Sequence, residues 1–207
     1  MTDPRSISFD QVEILRWIRE LHCPEGFDVD ASYGNGRFYC PNGVNKPKYR
    51  FDIDGTLKDV VVASSDCLPL PPDSQRSVVF DPPFLTYIRN KRQGNGDMVM
   101  AKRFSGYWRY DELETHYKSS LREFNRVLRK KEVVVFKCKD IIHNHKMHAS
   151  HINVVNWATD LGFRLKDLFV LAANRRMPRP NRKGAPKHAR VYHSYFLVLE
   201  KIRENEA

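Results

Sequence analysis

The stretch Ser77-Val78-Val79-Phe80-Asp81-Pro82-Pro83-Phe84 decides the fold. Its first four residues form a compact apolar run of the kind that fills a parallel sheet. The prolines after Asp81 cannot extend a strand, because each fixes its own backbone angle and lacks an amide hydrogen. The sequence therefore predicts a buried strand over 77–80 that ends in a rigid turn.

Strands and helices alternate on both sides of this stretch. Helical spacing of apolar residues predicts helices over 9–21, 110–129 and 152–161, with Ser8 as N-cap of the first. Short apolar or β-branched runs predict strands at 27–29, within 49–55, and at 60–63, 132–136, 168–172 and 195–199. This alternation indicates an α/β domain with a mostly parallel sheet.

The length and composition fit one domain over residues 1–207. No apolar run reaches the roughly 18 residues of a membrane span, and the N-terminus lacks the pattern of a secretory signal, so we expect a cytoplasmic protein. The cysteines form no C-x-x-C pair, which in a cytosolic protein favours free thiols over disulfides or zinc.

The net charge of +10 and the pI near 9.5 predict a polyanionic partner, most simply nucleic acid. Two basic segments, 89–108 and 174–192, interrupt the strand and helix pattern and are predicted to be nucleic-acid recognition loops. An ordinary solvated basic surface is the alternative. The predicted contacts are Arg89, Lys91, Arg92, Lys102, Arg103, Trp108, Arg175, Arg176, Arg179, Arg182 and Lys183.

Polar residues follow several of the predicted strands. Ligands of open α/β sheets bind beyond the carboxyl ends of the strands, so we expect these residues to meet at one edge. Gly34 and Gly36 would let the backbone approach a ligand, and Asp52 could accept hydrogen bonds from ribose hydroxyls. Ile53 would lie against an adenine face, and Asp66 could accept from its amino group. Structural turns and a nicotinamide cofactor are the alternatives.

The turn at 81–84 suits chemistry on an exocyclic base amine. The nitrogen lone pair of such an amine is delocalised into the ring, and two acceptors that hold its hydrogens favour the geometry in which it can attack. The Asp81 carboxylate and the Pro82 carbonyl would be the acceptors, and Phe84 would stack on a base that has left its duplex. An ordinary proline turn is the alternative.

With these motifs, the chain resembles the amino-methyltransferases that modify adenine N6 or cytosine N4, over nearly its whole length. The segment 30–38 is similar to the cofactor turn of that family, and Asp52-Ile53 to its ribose and adenine motif. Asp66 is similar to its third cofactor acid and 81–84 to its catalytic tetrapeptide. One departure is that Ala31-Ser32 stand before Tyr33, where the family often has a proline and an aromatic residue.

The resemblance implies a class I methyltransferase fold, which is Rossmann-like: a doubly wound, seven-stranded, mostly parallel sheet with the last strand antiparallel. It also implies S-adenosyl-L-methionine as cofactor. The implied cofactor contacts are Asp30, Ala31, Tyr33, Gly34, Gly36, Asp52, Ile53, Asp66 and Cys67. The implied catalytic residues are Asp81, Pro82, Pro83 and Phe84.

An aspartate in the first position of the tetrapeptide favours adenine over cytosine within that resemblance. The sequence therefore predicts an adenine N6 methyltransferase that acts on DNA after base flipping. Adenine in RNA, cytosine N4 in DNA, and a nucleic-acid-binding protein of this fold without catalysis remain open.

Cysteine and histidine donors lie close together after the strand at 132–136. They are Cys138, His143, His145, His148 and His151. Their spacing could suit zinc, but the histidines alternate with polar residues, which favours a solvated loop along the nucleic-acid groove. We therefore predict no metal site.

Overall fold

The computed structural model describes residues 3–39, 44–55, 57–86, 106–173 and 188–203. The strands are β1 (Ile7–Ser8), β2 (Val29–Asp30), β3 (Tyr49–Asp52), β4 (Val61–Val62), β5 (Gln75–Phe80), β6 (Leu128–Cys138), β7 (Ile141–His143), β8 (Lys146–His148), β9 (Phe163–Ala172) and β10 (His193–Lys201). The helices are α1 (Gln11–His22), α2 (Tyr110–Val127) and α3 (Ser150–Asp160).

Eight strands form one sheet in the order β1-β9-β10-β6-β5-β2-β3-β4. In this sheet β10 runs antiparallel to its neighbours, β6 and β9, and the other described pairs are parallel. The predicted α/β class, parallel sheet and reversed last strand are confirmed. The sheet has one strand more than predicted, because the two residues of β1 add to the edge beside β9 and are too few to show a periodic pattern.

Helices cover both faces of the sheet, as the doubly wound prediction requires. On one face, α1 packs against side chains such as Val79 and Val135. On the other, α2 and α3 pack against Phe80 and Phe136. Successive strand residues point to opposite faces, so the continuous apolar runs of β5 and β6 fill both cores. No helix in the described ranges is long and apolar enough to cross a membrane.

The N-cap predicted for the first helix is wrong. The helix begins at Gln11, and the carboxylate of Asp10 accepts a hydrogen bond from the amide of Val12 at 2.9 Å. Ser8 instead belongs to β1, and its hydroxyl accepts from the amide of Asp10. The strand pairing of Ser8 keeps it out of the helix, and Asp10 is the next residue with a capping side chain.

Other elements also differ from their predictions. The helix predicted over 110–129 ends at Val127, because β6 already begins at Leu128 rather than at residue 132. β9 begins at Phe163, five residues earlier than expected, because Arg164 and Lys166 hide its pattern. Both pair with Glu200 on the neighbouring β10. The expected histidine loop contains the hairpin β7–β8, whose turn residues Asn144 and His145 have positive φ angles of 49° and 59°. That backbone is typical of a two-residue hairpin turn.

The strand order reverses between β2 and β5. From β2 the chain proceeds outward to β3 and β4, then returns to β5 on the other side of β2. Ligands of open α/β sheets bind in the crevice at such a switch point, beyond the carboxyl ends of the strands. A ligand site is therefore expected at the residues that follow β2 and β5.

Candidate active site

The acid at the end of β2 is deeply buried at the switch point. Asp30 is 1% exposed, and its carboxylate accepts hydrogen bonds from the Tyr39 hydroxyl at 2.6 Å and the Ser32 amide at 2.7 Å. Burial raises the pKa of the Asp30 carboxyl to about 7, although these hydrogen bonds lower it in part. A carboxylate is therefore held here at an energetic cost.

A serine joins this acid to the tetrapeptide at 81–84. The amide of Asp81 donates to the Ser32 hydroxyl oxygen at 2.7 Å, and that hydroxyl lies 3.4 Å from the Asp30 carboxylate. Ser32 stands at the departure from the family pattern noted above. The hydroxyl connects the ends of β2 and β5, so the departure adds a polar link at the switch point.

The Asp81 carboxylate has one oxygen in an ion pair and one without a partner. Asp81 Oδ2 lies 3.2 Å from Lys137 Nζ, whereas Oδ1 is buried and has no hydrogen-bond partner among the described residues. Burial raises the pKa of the Asp81 carboxyl, and the Lys137 ammonium offsets part of that rise. A buried acceptor of this kind is suited to a donor on a ligand.

The rest of the tetrapeptide is fixed by α2 and the core beneath it. Pro82 is buried, and the Pro83 carbonyl accepts a hydrogen bond from the Tyr117 hydroxyl at 3.0 Å. Phe84 is half-buried against the core, and the Lys139 ammonium lies 6.0 Å from its ring centroid. The aromatic face is thus placed beside a cation at the end of β6.

The turn after β2 has the backbone that its glycines predict. Gly34 and Gly36 have φ angles of 55° and 74°, which residues with a Cβ rarely adopt. The amide of Gly34 donates to Asp52 Oδ2 at 2.7 Å. A Cβ on Gly36 would lie 2.7 Å from the Tyr33 hydroxyl, so this position has room for glycine alone.

Asp52 and Ile53 lie at the end of β3. Besides Gly34, the Asp52 carboxylate accepts from the amide of Asp54 at 2.9 Å. Each oxygen keeps a second lone pair, so the carboxylate can still accept from a diol. The Ile53 side chain is 70% exposed, which leaves an apolar surface beside that carboxylate. The pair can hold a ribose and cover one face of a purine.

Two of the predicted cofactor contacts have buried side chains. Tyr33 is 2% exposed, and its ring stacks on Tyr39 with centroids 6.0 Å apart. Its hydroxyl has no hydrogen-bond partner among the described residues. Ala31 is also buried, and its amide donates to the Val79 carbonyl at 3.0 Å. The sequence did not distinguish these core positions from exposed ones.

Asp66 lies in a turn beyond β4, next to the exposed thiol of Cys67. Its carboxylate accepts from the hydroxyls of Ser64 and Ser119, and the Ser64 hydrogen bond is the main reason its pKa is lowered. A cleft of about 400 Å³ lies beside it, between this turn and the start of α2. Asp66 is therefore an ionised acceptor at the wall of a cleft.

A part-buried polar chain, which the sequence did not predict, borders that cleft. His116 contacts the Tyr107 hydroxyl through Nδ1 and the Ser65 hydroxyl through Nε2 at 2.8 Å. The Tyr107 amide donates to the Leu85 carbonyl at 2.9 Å. Burial lowers the pKa of His116. The chain connects the turn that carries Asp66 to the segment just after the tetrapeptide.

Lys137 and Gln11 also lie at this site, although the sequence analysis did not predict them as site residues. The register pairs Phe80 with Phe136, so the next residues, Asp81 and Lys137, meet across the ends of β5 and β6. Gln11 reaches the same lysine from α1, with 2.8 Å between its Oε1 and Lys137 Nζ. The available signal was a lysine that directly follows the continuous apolar run of residues 133–136.

Two of the histidines after β6 contact protein side chains. Asp140 binds His151 Nδ1 at 2.7 Å, and the His151 ring stacks on Tyr195. Tyr110 stacks on His148 with ring centroids 3.7 Å apart. In the part of the chain that the structure describes, no group of three or more histidine, cysteine or acidic side chains could hold a metal ion.

Most of the predicted nucleic-acid contacts lie outside the described residues. Trp108 is the exception, and its side chain is 43% exposed just before α2. Its amide donates to the Glu112 carboxylate at 2.9 Å. The contacts outside the described residues are Arg89, Lys91, Arg92, Lys102, Arg103, Arg175, Arg176, Arg179, Arg182 and Lys183.

No protein-family model matches this chain, and no curated protein matches it either. Among solved structures, a candidate type 11 methyltransferase from Sulfolobus solfataricus is similar at 16% identity and a TM-score of 0.47, with 93% of this chain and 94% of that chain covered. A SAM-dependent methyltransferase from Thermotoga maritima is similar at 13% identity and a TM-score of 0.46, covering 93% and 90%.

A candidate DNA modification methylase from Thermus thermophilus, complexed with S-adenosyl-L-methionine, is similar at 17% identity and a TM-score of 0.43. The match covers 67% of this chain and 52% of that one, so this chain spans about half the length of that protein. Because all three likenesses are remote, the fold assignment rests on the strand order of the sheet itself.

Proposed function

We propose that this protein transfers a methyl group from S-adenosyl-L-methionine to the N6 amino group of adenine in DNA. The observation that carries the proposal is the Asp81 carboxylate, which presents a buried oxygen without a described partner at the switch point of the sheet. The tetrapeptide that contains it has the acceptor, the carbonyl and the aromatic ring that amine methylation requires.

The residues around the turn after β2 suit the proposed cofactor. Gly34 and Gly36 give the backbone a close approach, and Asp52 with Ile53 suits a ribose and an adenine ring. Asp66 is an ionised acceptor near the cleft. The predicted contacts of Ala31 and Tyr33 would come from the backbone, since their side chains are buried. When bound, S-adenosyl-L-methionine would supply an electrophilic methyl group.

In the proposed reaction, Asp81 Oδ1 and the Pro82 carbonyl accept the two amine hydrogens, and Phe84 stacks on the flipped base. The hydrogen bonds draw the nitrogen lone pair out of conjugation and aim it at the methyl carbon. The bound cofactor would supply the methyl carbon to this nitrogen, and its sulfonium sulfur would be the leaving group. The surplus proton on nitrogen passes to Asp81, whose raised pKa makes it a better base.

The test combines one substitution with identification of the product. Asp81→Ala should lower methyl transfer to DNA by about 1000-fold or more, because it removes the main acceptor from a pre-organised site. Cofactor affinity, measured by calorimetry, should stay within a few-fold. Asp160→Ala, which removes an exposed acid at the end of α3, is the matched control and should keep full activity.

Mass spectrometry of digested nucleosides identifies the base and the polymer. N6-methyladenine from DNA is the expected product. The same product from RNA alone, or N4-methylcytosine, would replace the proposed substrate but keep the chemistry. Full activity of Asp81→Ala would overturn the mechanism, and failure to bind S-adenosyl-L-methionine would favour a non-catalytic nucleic-acid-binding protein.

A further inference from the structure

Lys137 is a buried cation next to the proposed catalytic acid. It is 8% exposed on the α1 face of the sheet, at the end of β6. Its ammonium lies 5.1 Å from the ring centroid of Phe38 and 5.5 Å from that of Phe196. A lysine in such surroundings requires a polar partner, because burying an unpaired charge is costly.

The partners of Lys137 are arranged on two sides. Its ammonium donates to Gln11 Oε1 at 2.8 Å and to Asp81 Oδ2 at 3.2 Å. The Gln11 side chain is itself fixed, because its amide nitrogen donates to the Phe38 carbonyl at 3.1 Å. The oxygen of Gln11 is thereby turned towards the lysine, and the lysine towards Asp81.

The ion pair with Lys137 occupies only one of the two carboxylate oxygens of Asp81. Lys137 binds only Oδ2, and the backbone amide of Asp81 is bound separately by Ser32, so the side chain and the backbone of this residue each have one restraint. Oδ1 stays buried without a described partner. A pairing that served stability alone would leave no such acceptor, because an unsatisfied buried oxygen costs about 1–3 kcal/mol.

We propose that Lys137 is a positioning residue that keeps Asp81 ionised and turned so that Oδ1 faces the target amine, with Gln11 as its anchor. This inference rests on the proposed function and adds two residues that the tetrapeptide alone does not reveal. It gives the first turn of α1 a part in the active site.

Other ionisable groups around Asp81 do not replace the lysine. Asp30 at the end of β2 is an acid and repels the Asp81 charge. Burial raises the pKa values of Tyr39, in the turn after β2, and Tyr117 on α2 well above their usual range, so both stay neutral at physiological pH. Among the described groups, Lys137 is the cation that pairs with Asp81.

The main variant is Lys137→Met. It should lower kcat by about 100-fold, because the acid loses its orientation, and leave the KM for the cofactor within a few-fold. The acid limb of the kcat/KM profile should move up by about one pH unit or more, because an opposite charge at this distance lowers a carboxyl pKa. Lys118→Met removes a half-exposed lysine paired with Glu114 and should change neither quantity.

Gln11→Ala is the second variant. It still tests the proposal if Lys137→Met folds poorly. It removes the anchor from the first turn of α1 but keeps the ion pair, so kcat should fall by about 3- to 10-fold. An unchanged kcat in this variant would overturn the role of the anchor, and an unmoved acid limb in Lys137→Met would overturn the role of the lysine.

Carbon-13 NMR of the Asp81 side-chain carboxyl separates this inference from the proposed function. The titration of Asp81 should move to higher pH in Lys137→Met and stay in place in Lys118→Met, whether or not any methyl transfer is seen. A wild-type protein without methyltransferase activity would overturn the proposed function alone. An Asp81 titration that is identical in wild type and Lys137→Met would overturn the inference alone.

Discussion

The two ends of the sheet each hold a buried lysine, and the two lysines differ in what surrounds them. Lys201 at the end of β10 is 0% exposed, and its three donors bind Asp73 Oδ1 and the carbonyls of Asn125 and Leu128 at 2.7–2.8 Å. Lys137, at the opposite end, pairs with a carboxylate whose second oxygen has no described partner.

The surroundings of Lys201 are typical of a structural network, whereas those of Lys137 are typical of a ligand site. Around Lys201, the ammonium has an acceptor for each of its hydrogens, so the group ties β10, α2 and β6 together and offers nothing to a ligand. At the other end, Asp30 is buried and Asp81 is part-buried, and desolvation raises the pKa of both carboxyls. Acids whose pKa values are raised by burial are typical of sites that bind a ligand or carry out a reaction.

The largest effect is expected at Asp30. Its pKa of about 7 in the folded state lies well above the value near 3.9 of an unfolded chain, so the folded protein binds this proton more tightly. Stability from this group is therefore lost as pH rises from about 4 to 7, by about 4 kcal/mol. Asp30→Asn, whose amide can still bond with Tyr39 and Ser32, should abolish that loss.

Urea unfolding at pH 4.5 and pH 8 measures this effect. From pH 4.5 to pH 8, wild type should lose free energy of unfolding that Asp30→Asn keeps. The substitution Asp160→Asn, at an exposed position, should show the same loss as wild type. Parallel pH curves for wild type and Asp30→Asn would show that the buried carboxyl does not titrate as described.

The next largest effect is expected at the opposite end. Lys201→Met should lower the free energy of unfolding by about 3 kcal/mol, because the carbonyls of Asn125 and Leu128 lose their buried donor. Urea unfolding gives this value, and calorimetry should find cofactor affinity unchanged.

Lys166→Met is the control for that substitution. This lysine is part-exposed, and Arg164 also binds its partner, Glu200, so the loss should stay below about 1 kcal/mol. A loss in Lys201→Met no greater than in Lys166→Met would remove the distinction between the two ends of the sheet.

The smallest effect is expected at Ser32. Ser32→Ala removes the hydroxyl that accepts from the Asp81 amide, so the start of the tetrapeptide loses one of its restraints. We expect kcat to fall about fivefold, which corresponds to about 1 kcal/mol. Ser74→Ala, at the far end of the sheet, should leave kcat unchanged. A kcat for Ser32→Ala equal to that of Ser74→Ala would exclude a role for this link.

The parts of the fold that sequence predicted are those with a local signal. The apolar run of β5 and the proline turn after it follow from the residues themselves. Among the predicted strand-end residues, Gly34 contacts Asp52, and Ser32 joins Asp30 to Asp81. β1 and the first half of β9 were missed because their pattern depends on partners distant in sequence.

The candidate site shows the same division. Asp52, Asp66 and the tetrapeptide were predicted from residue type and order. The burial of Tyr33 depends on its packing with Tyr39 and on the absence of a side chain at Gly36, which no local pattern reveals. Whether these residues bind a cofactor remains a prediction.

The sequence by itself determined the α/β class, the rigid turn at 81–84 and the acids that follow the strands, because apolar runs, prolines and glycines act on their own backbone. Only the tertiary structure decided that Lys137 meets Asp81, because the pairing depends on the register between β5 and β6 and on the placement of α1. Such contacts join residues that are 56 and 126 positions apart, where no local signal exists.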